Sequence, residues 1–423
     1  MVKIRHHFNT LELTKGFGIS LLNSAFIYLN DWGFSSAILN SILGMMGLFF
    51  LLKSDTKIWF YVGGFVAIFW FWWIPLSFKY YQMAWAYPLG LGVISATYAL
   101  LFGSIAWGSK KIPQWLHLSN PLFSLTLKGL GVWMASYIHP FGFDWFKPEL
   151  IFVESYFGIE KWQFLIVVAS VVLALWKHQL LYLLFTLLSY QPNTTLITKP
   201  PQDTALVRTD IPVEIKWDSA FKSSQIATIF KAIDAAIAKK QTLIILPESV
   251  FPLFLNRAPQ LLESLQKRSE NISIVAGGLY WDGSSAHNSA YIFTQGKITI
   301  ASKVILVPFG EKNPLPHFLS DWVNQIFFDG AVDYESSSQI TDYEIANVRY
   351  RNAICFEATS EKLYENLPER MIVLSNNGWF TPSIEPTLQK LLLQYYSRKY
   401  GTTIYHAVNS SDTYVIQNHT QRK

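Results

Sequence analysis

The chain has 423 residues, of which 51% are hydrophobic, 16% are aromatic and only 15% are charged, whereas about a quarter of the residues are charged in a typical soluble protein. The net charge of +5 lies mostly in short segments between apolar runs, which favours a role in membrane orientation over nucleic-acid binding. A single cysteine excludes an intramolecular disulfide and a cysteine-based zinc site.

The apolar excess is concentrated in residues 1–190, which are predicted to form a transmembrane helical domain. The first apolar run follows Lys3 and Arg5 as in a signal peptide, but the later runs make it the first membrane helix. A helix through Trp176-Lys177-His178 would hold Lys177 near the membrane centre at a cost of about 2.5–3.5 kcal/mol, so two short, tilted helices are predicted there. The seven candidate spans lie at about 13–29, 36–52, 58–77, 85–107, 122–138, 161–176 and 179–190.

Basic residues are more frequent in alternate loops, and the positive-inside rule therefore places the N-terminus in the cytoplasm. Seven crossings then place the residues after Tyr190 on the outer side, whereas six would place them in the cytoplasm. The predicted inner loops carry Lys3, Arg5, Lys53, Lys57, Lys110, Lys111 and Lys177, and the opposite loops carry Lys79, Lys147 and Lys161.

Residues 191–203 contain the turn-forming Gln191-Pro192-Asn193 and Lys199-Pro200-Pro201 and are predicted to be a linker. In residues 204–423, short β-type runs alternate with amphipathic helices at about 220–239, 258–270 and 385–400, which predicts an α/β domain with a mixed sheet. Gln295-Gly296 between two strands is a hairpin signal. The predicted strands lie at 205–213, 242–246, 272–280, 290–293, 298–306, 345–354, 371–374 and 402–408.

Three reactive side chains lie at the margins of predicted strands. Cys355 stands where a strand meets the capping residues 358–361, Glu248 follows Leu246-Pro247, and Lys303 precedes another apolar run. Each has an ordinary alternative, since a free cysteine is commonly an inert buried residue, a strand-end acid is commonly solvated and a lone lysine commonly lies on the surface.

Together the three groups fit acyl transfer through a thiol, which needs a nucleophile, a base and a cation for the developing oxyanion. An apolar wall would raise the pKa of Glu248 so that it can take the Cys355 proton. Lys303 and the backbone N–H of Phe356 would then stabilise the tetrahedral oxyanion. No cofactor or metal is predicted, because no ligand spacing of His and Asp and no glycine-rich phosphate loop is seen.

Four ordered motifs resemble the nitrilase (carbon–nitrogen hydrolase) superfamily, and the membrane region in front of them makes the chain most similar to the apolipoprotein N-acyltransferases of Gram-negative bacteria. The resemblance implies a nitrilase-like α-β-β-α sandwich at 204–423 facing the periplasm of a multi-pass inner-membrane protein. The motifs are Leu246-Pro247-Glu248-Ser249, Lys303 with Val307-Pro308-Phe309-Gly310-Glu311, Cys355-Phe356-Glu357, and Ser375-Asn376-Asn377-Gly378-Trp379-Phe380.

The resemblance also implies roles and partners. Glu248, Lys303 and Cys355 match the family's base, oxyanion stabiliser and nucleophile, and Glu311 and Glu357 match supporting acids. It implies an acyl donor that is a membrane phospholipid and an acceptor that is the N-terminal amine of a diacylated apolipoprotein, by way of a cysteine thioester. Substrate-binding candidates are Trp217, Asn288 and Trp379, and packing is the alternative role for Trp217.

Apolar aromatic stretches beside the motifs are candidates for arms that enter the membrane surface, with ordinary packing as the alternative. They are Phe251–Leu255, and 314–319 continuing through Trp322 to Phe327-Phe328. The segment 385–411 departs from the family pattern at Tyr396–Tyr400 and at Ser410-Ser411, and we expect a chain without the family's usual C-terminal membrane helix. The alternative functions are a membrane-tethered amidase or nitrilase and a non-catalytic protein that keeps the fold.

Overall fold

The computed structural model describes residues 10–308, 310–312 and 334–418. These residues form two compact units. The helical unit takes the described residues that fall within Met1–Pro140, Asp144–Asn193 and Ser383–Tyr395, and the sheet unit takes those that fall within Phe141–Phe143, Thr194–Pro382 and Tyr396–Lys423.

The helical unit is built from apolar helices whose ends carry recognisable caps. Ser36 Oγ accepts the backbone N–H of Leu39, and Asn120 Oδ1 accepts that of Leu122, which satisfies N–H groups that have no partner within their helices. The α-helices are α1 (Thr10–Asp31), α2 (Ala37–Lys53), α3 (Thr56–Phe71), α4 (Tyr87–Trp115), α5 (Pro121–Met134) and α6 (Lys161–Lys177). Short 3₁₀ helices lie at Ile74–Tyr81, Ala84–Ala86, Ala135–Tyr137, Pro140–Gly142, Pro148–Phe152 and Leu180–Ser189.

Helices α1 to α6 coincide with the first six predicted apolar runs, but the seventh run is a 3₁₀ helix, Leu180–Ser189, and not the predicted α-helix. Helix α6 ends at His178, whose φ of 52° is left-handed. The Gly158 N–H donates to Ser189 O at 2.7 Å, so the chain returns from His178 to the level at which α6 begins. The turn predicted around Lys177 is therefore confirmed.

In the described part of the chain, one continuous helical segment, Ala84–Trp115, has by itself the length and hydropathy to cross a membrane. Helix α3 and Ile74–Tyr81 meet these requirements only as a pair, which is bent by 56°. Large apolar side chains face outward on this unit, among them Trp107, Trp115 and Leu100. Such a surface is typical of lipid contact.

The sheet unit contains two sheets. The first has the order β2-β3-β5-β6-β7, with β4 paired to β5, and the second has the order β1-β12-β11-β10-β9-β8. In chain order the strands are β1 (Thr195–Thr198), β2 (Thr204–Leu206), β3 (Leu243–Ile245), β4 (Phe251–Phe254), β5 (Ser273–Trp281), β6 (Ala286–Thr294), β7 (Lys297–Ser302), β8 (Asp342–Ile345), β9 (Val348–Ile354), β10 (Arg370–Asn376), β11 (Thr403–Asn409) and β12 (Tyr414–Asn418).

The two sheets face each other across one apolar core. Side chains such as Ile245 and Ala290 from the first sheet pack with Ile354 and Leu374 from the second. A second core lies between the outer face of the first sheet and two helices, so both faces of this sheet are buried. The helices of the unit are α7 (Val213–Lys216), α8 (Ser219–Ala238) and α9 (Pro259–Arg268), and α10 (Glu385–Tyr400) contributes its last residues.

Parallel pairing brings reactive positions to one type of sheet edge. Strands β2, β3 and β5 are parallel, as are β9, β10 and β11. Glu248 follows the carboxyl end of β3 and Cys355 follows that of β9. The carboxyl ends of parallel strands are where α/β folds place ligand-binding side chains.

Several predicted boundaries were wrong. The predicted linker 191–203 contains β1, which pairs with β12, and the predicted strand 205–213 is reduced to β2. The predicted strand 345–354 is a hairpin of β8 and β9, and residues 355–364 form short 3₁₀ turns in place of a helix. The hairpin at Gln295-Gly296 is confirmed, with φ values of 51° and 74°.

The predicted arm at Phe251–Leu255 was also wrong. Its first four residues form β4, and Phe251 and Leu255 belong to the core beneath α8 and α9. Pro252 is compatible with this strand because β4 pairs on one side only, with β5. The second predicted arm, 314–319 through Trp322 to Phe327-Phe328, lies outside the described residues.

Candidate active site

Glu248 and Cys355 both lie at sharp backbone turns that leave a strand. Cys355 has a φ of 53°, and Ser249, directly after Glu248, has a φ of 47°. Residues with a side chain seldom adopt this left-handed conformation, and it persists where the surrounding structure determines it, often at functional sites. Glu248 is 8% exposed, so the alternative of a solvated strand-end acid was wrong, and Cys355 is half-buried.

Lys303 directly follows β7 and is 1% exposed, so it is not a surface lysine. Its Nζ lies 2.7 Å from Glu311 Oε2. Asn288 on β6 donates from Nδ2 to Glu248 Oε1 at 2.7 Å and to Glu311 Oε1 at 2.8 Å. Asn288 therefore joins the acid of one turn to the acid that holds Lys303.

Glu357 supports the same region from the other sheet. Its Oε1 accepts the backbone N–H of Ile354 at 2.8 Å, and its Oε2 accepts those of Val304 at 2.8 Å and Ile305 at 3.2 Å. Because Ile354 precedes Cys355 and Val304 follows Lys303, this one carboxylate fixes both chain segments. Its two oxygens accept all three bonds, which a carboxylate does and a carboxamide cannot.

The ionisable side chains of Glu248, Lys303 and Glu357 are buried, and burial shifts their pKa values. Burial raises the pKa of Glu248, and Glu311 raises it further, whereas Lys303 opposes the rise. Burial lowers the pKa of Lys303, but Glu311, Glu248 and Cys355 outweigh burial and hold it above its ordinary value. Burial raises the pKa of Glu357 to about 7 against the opposing effect of Lys303. The neighbouring Glu311, Glu248 and Cys355 thus favour the charged form of Lys303.

The remaining predicted residues occupy distinct places. Phe356 is buried and its ring stacks on Phe143 at 5.4 Å between centroids. Trp217 is 39% exposed at the end of α7. Trp379 ends the 3₁₀ turn Asn377–Trp379 after β10 and is half-buried. Asn288 is 4% exposed and engages two acids.

Sequence reasoning missed Lys216. This lysine is 1% exposed, and its Nζ donates to the backbone carbonyl of Glu248 at 2.9 Å. It also interacts electrostatically with Cys355. Lys216 directly precedes the predicted substrate-binding residue Trp217 in the sequence. A lysine at the end of a four-residue helix gives no periodicity from which burial could be predicted.

One further group of side chains has the donor types of a metal site. Ligand atoms of Asp282, His287 and Glu335 lie within 4.8 Å of one another. His287 uses one ring nitrogen with Asp282 Oδ2 at 3.0 Å and the other with the backbone carbonyl of Glu335 at 2.8 Å. Asp282 also accepts the backbone N–H groups of Ser284 and Ser285. These bonds give the group a structural role in closing a loop.

Comparison with solved structures finds proteins of the carbon–nitrogen hydrolase superfamily. A CN-hydrolase superfamily protein from Xanthomonas campestris is 14% identical, with a TM-score of 0.37, and the match covers 49% of this chain and 75% of that one. An amidase from Nesterenkonia sp. is 11% identical, with a TM-score of 0.37, and the match covers 52% and 80% of the two chains.

Comparison with curated proteins finds relatives along nearly the whole chain. Residues 10–192 match the family model for the apolipoprotein N-acyltransferase integral membrane domain. An apolipoprotein N-acyltransferase from Wolinella succinogenes is 42% identical over 95% of this chain and 96% of its own. Those from Helicobacter pylori and Campylobacter jejuni are 36% and 31% identical, over 90% and 96% of this chain and 88% and 89% of theirs. The chain therefore belongs to the apolipoprotein N-acyltransferase family.

Proposed function

We propose that this enzyme transfers an acyl chain from a membrane phospholipid to the N-terminal α-amine of a diacylglyceryl-cysteine in a lipoprotein, by way of a thioester on Cys355. The observation that carries the assignment of residues is the buried network in which Asn288 joins Glu248 to Glu311 and Glu311 pairs with Lys303. Lys303 interacts electrostatically with Cys355. These contacts support a site in which Glu248, Lys303 and Cys355 act together as base, cation and nucleophile.

In the first half-reaction, Glu248 takes the proton of the Cys355 thiol, and the thiolate attacks the ester carbonyl of the lipid. Lys303 and the backbone N–H of Phe356 stabilise the tetrahedral oxyanion. When the intermediate collapses, the C–O bond of the ester breaks and Glu248 returns the proton to the departing alkoxide. The acyl group remains on Cys355 as a thioester.

In the second half-reaction, the lipoprotein amine attacks the thioester carbonyl. Glu248 accepts a proton from the attacking nitrogen, the C–S bond breaks, and the proton returns to the Cys355 sulfur. The amide product and the free enzyme result. An amine and not water is the acceptor because the relatives are N-acyltransferases over the same length of chain.

The raised pKa of Glu248 supports its role as the base, since burial brings a carboxyl group nearer to the working pH. The raised pKa of Lys303 supports its role at the oxyanion, because a buried cation stabilises negative charge that develops beside it. Glu311 and Glu357 then act by holding Lys303 and the two strand ends in place.

We propose that the helical unit crosses the inner membrane seven times with the N-terminus in the cytoplasm. The support is the distribution of basic residues and the turn at His178, after which the chain returns to the level of Gly158. This topology would put the sheet unit in the periplasm, where the lipid donor and the lipoprotein acceptor would reach Cys355 from the periplasmic face of the inner membrane. The test is the labelling of Ser284→Cys, in a Cys355→Ala background, by a membrane-impermeant maleimide added to intact spheroplasts. Labelling supports the periplasmic location, whereas a cysteine that reacts only after the membrane is opened would show the opposite orientation.

The chemistry is tested with protein purified from its own membranes. Mass spectrometry is expected to find an acyl adduct on Cys355 that is lost in Cys355→Ala. Incubation with phospholipid and a diacylated lipopeptide is expected to yield triacylated peptide. Release of free fatty acid alone would instead identify a hydrolase, and an acyl adduct that survives Cys355→Ala would refute the thioester. A Cys355→Ser variant that leaves lipoprotein acylation intact in cells would favour a non-catalytic protein.

A further inference from the structure

The site contains a second buried cation that the proposed reaction has not used. Lys216 is the last residue of α7, and its Nζ donates at 2.9 Å to the backbone carbonyl of Glu248. This carbonyl belongs to the turn in which Ser249 has a φ of 47°. The lysine therefore binds the backbone that aims the Glu248 carboxylate.

The segment before Lys216 is fixed by one asparagine. Asn409, at the end of β11, accepts the Thr209 hydroxyl at 2.8 Å and the Ile211 N–H at 2.9 Å through Oδ1. Its Nδ2 donates to the Ile211 carbonyl at 2.9 Å and to Asn376 Oδ1 at 2.8 Å. These bonds anchor residues 209–211 to the carboxyl ends of β10 and β11.

The helix that carries the lysine is held at its other end as well. Gln225 Nε2, on α8, donates to the carbonyl of Ile215 at 3.0 Å. Lys216 thus projects from a short helix that is fixed on both sides. A long, flexible side chain held in this way is suited to act at a defined position.

The charge of Lys216 acts on the same two groups that exchange a proton in the proposed reaction. Burial lowers the pKa of Lys216 to about 8, whereas Glu248 and Cys355 favour its charged form. It therefore remains mainly protonated at neutral pH. A cation beside a thiol stabilises the thiolate, which is the reactive form.

We propose that Lys216 is a positioning residue of this active site, whose Nζ holds the Glu248 turn and whose buried charge stabilises the thiolate of Cys355. This inference rests on the proposed function for its meaning in catalysis. The proton moves from the Cys355 sulfur to the Glu248 carboxylate, and Lys216 gains and loses no proton in that step.

The test is the pH dependence of Cys355 alkylation by iodoacetamide in the purified full-length protein, after neutral hydroxylamine has removed any thioester. Because the chain contains one cysteine, all alkylation of cysteine, measured by peptide mass spectrometry, reports Cys355. Neighbouring charges shift a pKa by roughly one unit or more. In Lys216→Met we expect the midpoint to rise by about one pH unit, which slows alkylation at pH 7 by about tenfold.

Three further variants separate charge from hydrogen bonding and from fold. Lys231→Met, on the exposed face of α8, is the matched control and is expected to keep the wild-type midpoint. Lys216→Gln keeps an N–H donor without the charge, so it is expected to shift the midpoint as Lys216→Met does and replaces it if the latter fails to fold. Lys216→Arg keeps the charge and is expected to hold the midpoint close to the wild-type value.

A wild-type alkylation midpoint in folded Lys216→Met or Lys216→Gln overturns the inference, even if acyl transfer is lost, because a purely structural lysine would have that effect. Alkylation requires neither lipid nor lipopeptide. A shifted midpoint in a protein that forms no acyl adduct would therefore support Lys216 while the proposed function fails.

Discussion

Gly277 on β5 offers the sharpest perturbation of Glu248 without touching its side chain. A Cβ at this position would lie 2.4 Å from the Ser249 nitrogen, 2.7 Å from Glu248 Cα and 2.7 Å from the Pro247 carbonyl oxygen. All three are backbone atoms. The Gly277 N–H also donates to the Pro247 carbonyl at 3.2 Å, so the turn rests directly on the strand. Gly277→Ala must displace the turn that carries Glu248.

Relief of the 2.4 Å contact to an ordinary van der Waals distance requires a displacement of about 1 Å. A misplacement of that size costs a catalytic group about 10²-fold in rate, and overpacking costs roughly 1–3 kcal/mol in stability. Gly278→Ala is the matched control on the same strand, since its Cβ would meet nothing closer than Leu255 Cβ at 3.5 Å.

The assay is the initial rate of triacylated lipopeptide formation by each variant in detergent with phospholipid, beside its thermal unfolding midpoint. Gly277→Ala is expected to lose about 10²-fold in rate, and Gly278→Ala to stay near the wild type. A Gly277→Ala enzyme that keeps more than half of the wild-type rate would show that the turn does not position the base. Equal losses in both variants would mean that β5 tolerates no side chain and would refute the local explanation.

Three further outcomes are expected. Glu357→Gln places an amide against a backbone N–H, and since each buried unsatisfied group costs roughly 1–3 kcal/mol, its unfolding midpoint should fall, while that of the exposed Glu344→Gln should not. Asn288→Ala removes a donor that lowers the pKa of Glu248, the proposed base, so the acid limb of the pH–rate profile should move to higher pH, unlike in the exposed Asn271→Ala. The folded-state pKa of Lys216 is about 8 against an ordinary 10.5, so the unfolded chain binds more protons than the folded chain between these pH values. The unfolding free energy of the wild type should therefore rise by about 3 kcal/mol relative to that of Lys216→Met as the pH increases through that window. A pH-independent difference in unfolding free energy would contradict this.

The sequence points to candidate site residues most directly where the chemistry is concentrated in single side chains. Glu248, Lys303 and Cys355 each follow or precede an apolar run, and their types together fit one reaction. Electrostatic coupling now links Lys303 to both of the others. The coupling through Asn288 was not predictable in this form, because its two acceptors lie 40 and 23 residues away in the chain.

Elements were missed where partners are distant or where periodicity is weak. Strand β1 pairs with β12 across more than 200 residues, and the neighbouring turn residues Gln191-Pro192-Asn193 dominate its local pattern. Strand β4 contains Pro252, which indicates a break unless the strand is known to lie at an edge. The 3₁₀ helix Leu180–Ser189 has ten residues that are almost all apolar, and such a run has no polar face that distinguishes it from an α-helix.

The charges of the site explain why two lysines accompany one base. In the proposed reaction a single negative charge moves from the Glu248 carboxylate to the Cys355 sulfur and then to the oxyanion, while the net charge of the buried cluster stays constant. Each movement would be costly if only one of these positions were near a cation, because a negative charge far from a cation is poorly stabilised in a low-dielectric site. Lys303 and Lys216 both interact with Glu248 and with Cys355, so the charge remains near the same two ammonium groups in the first two positions. Since each lysine acts on both groups, the loss of either lysine would weaken the stabilisation of the negative charge at both positions.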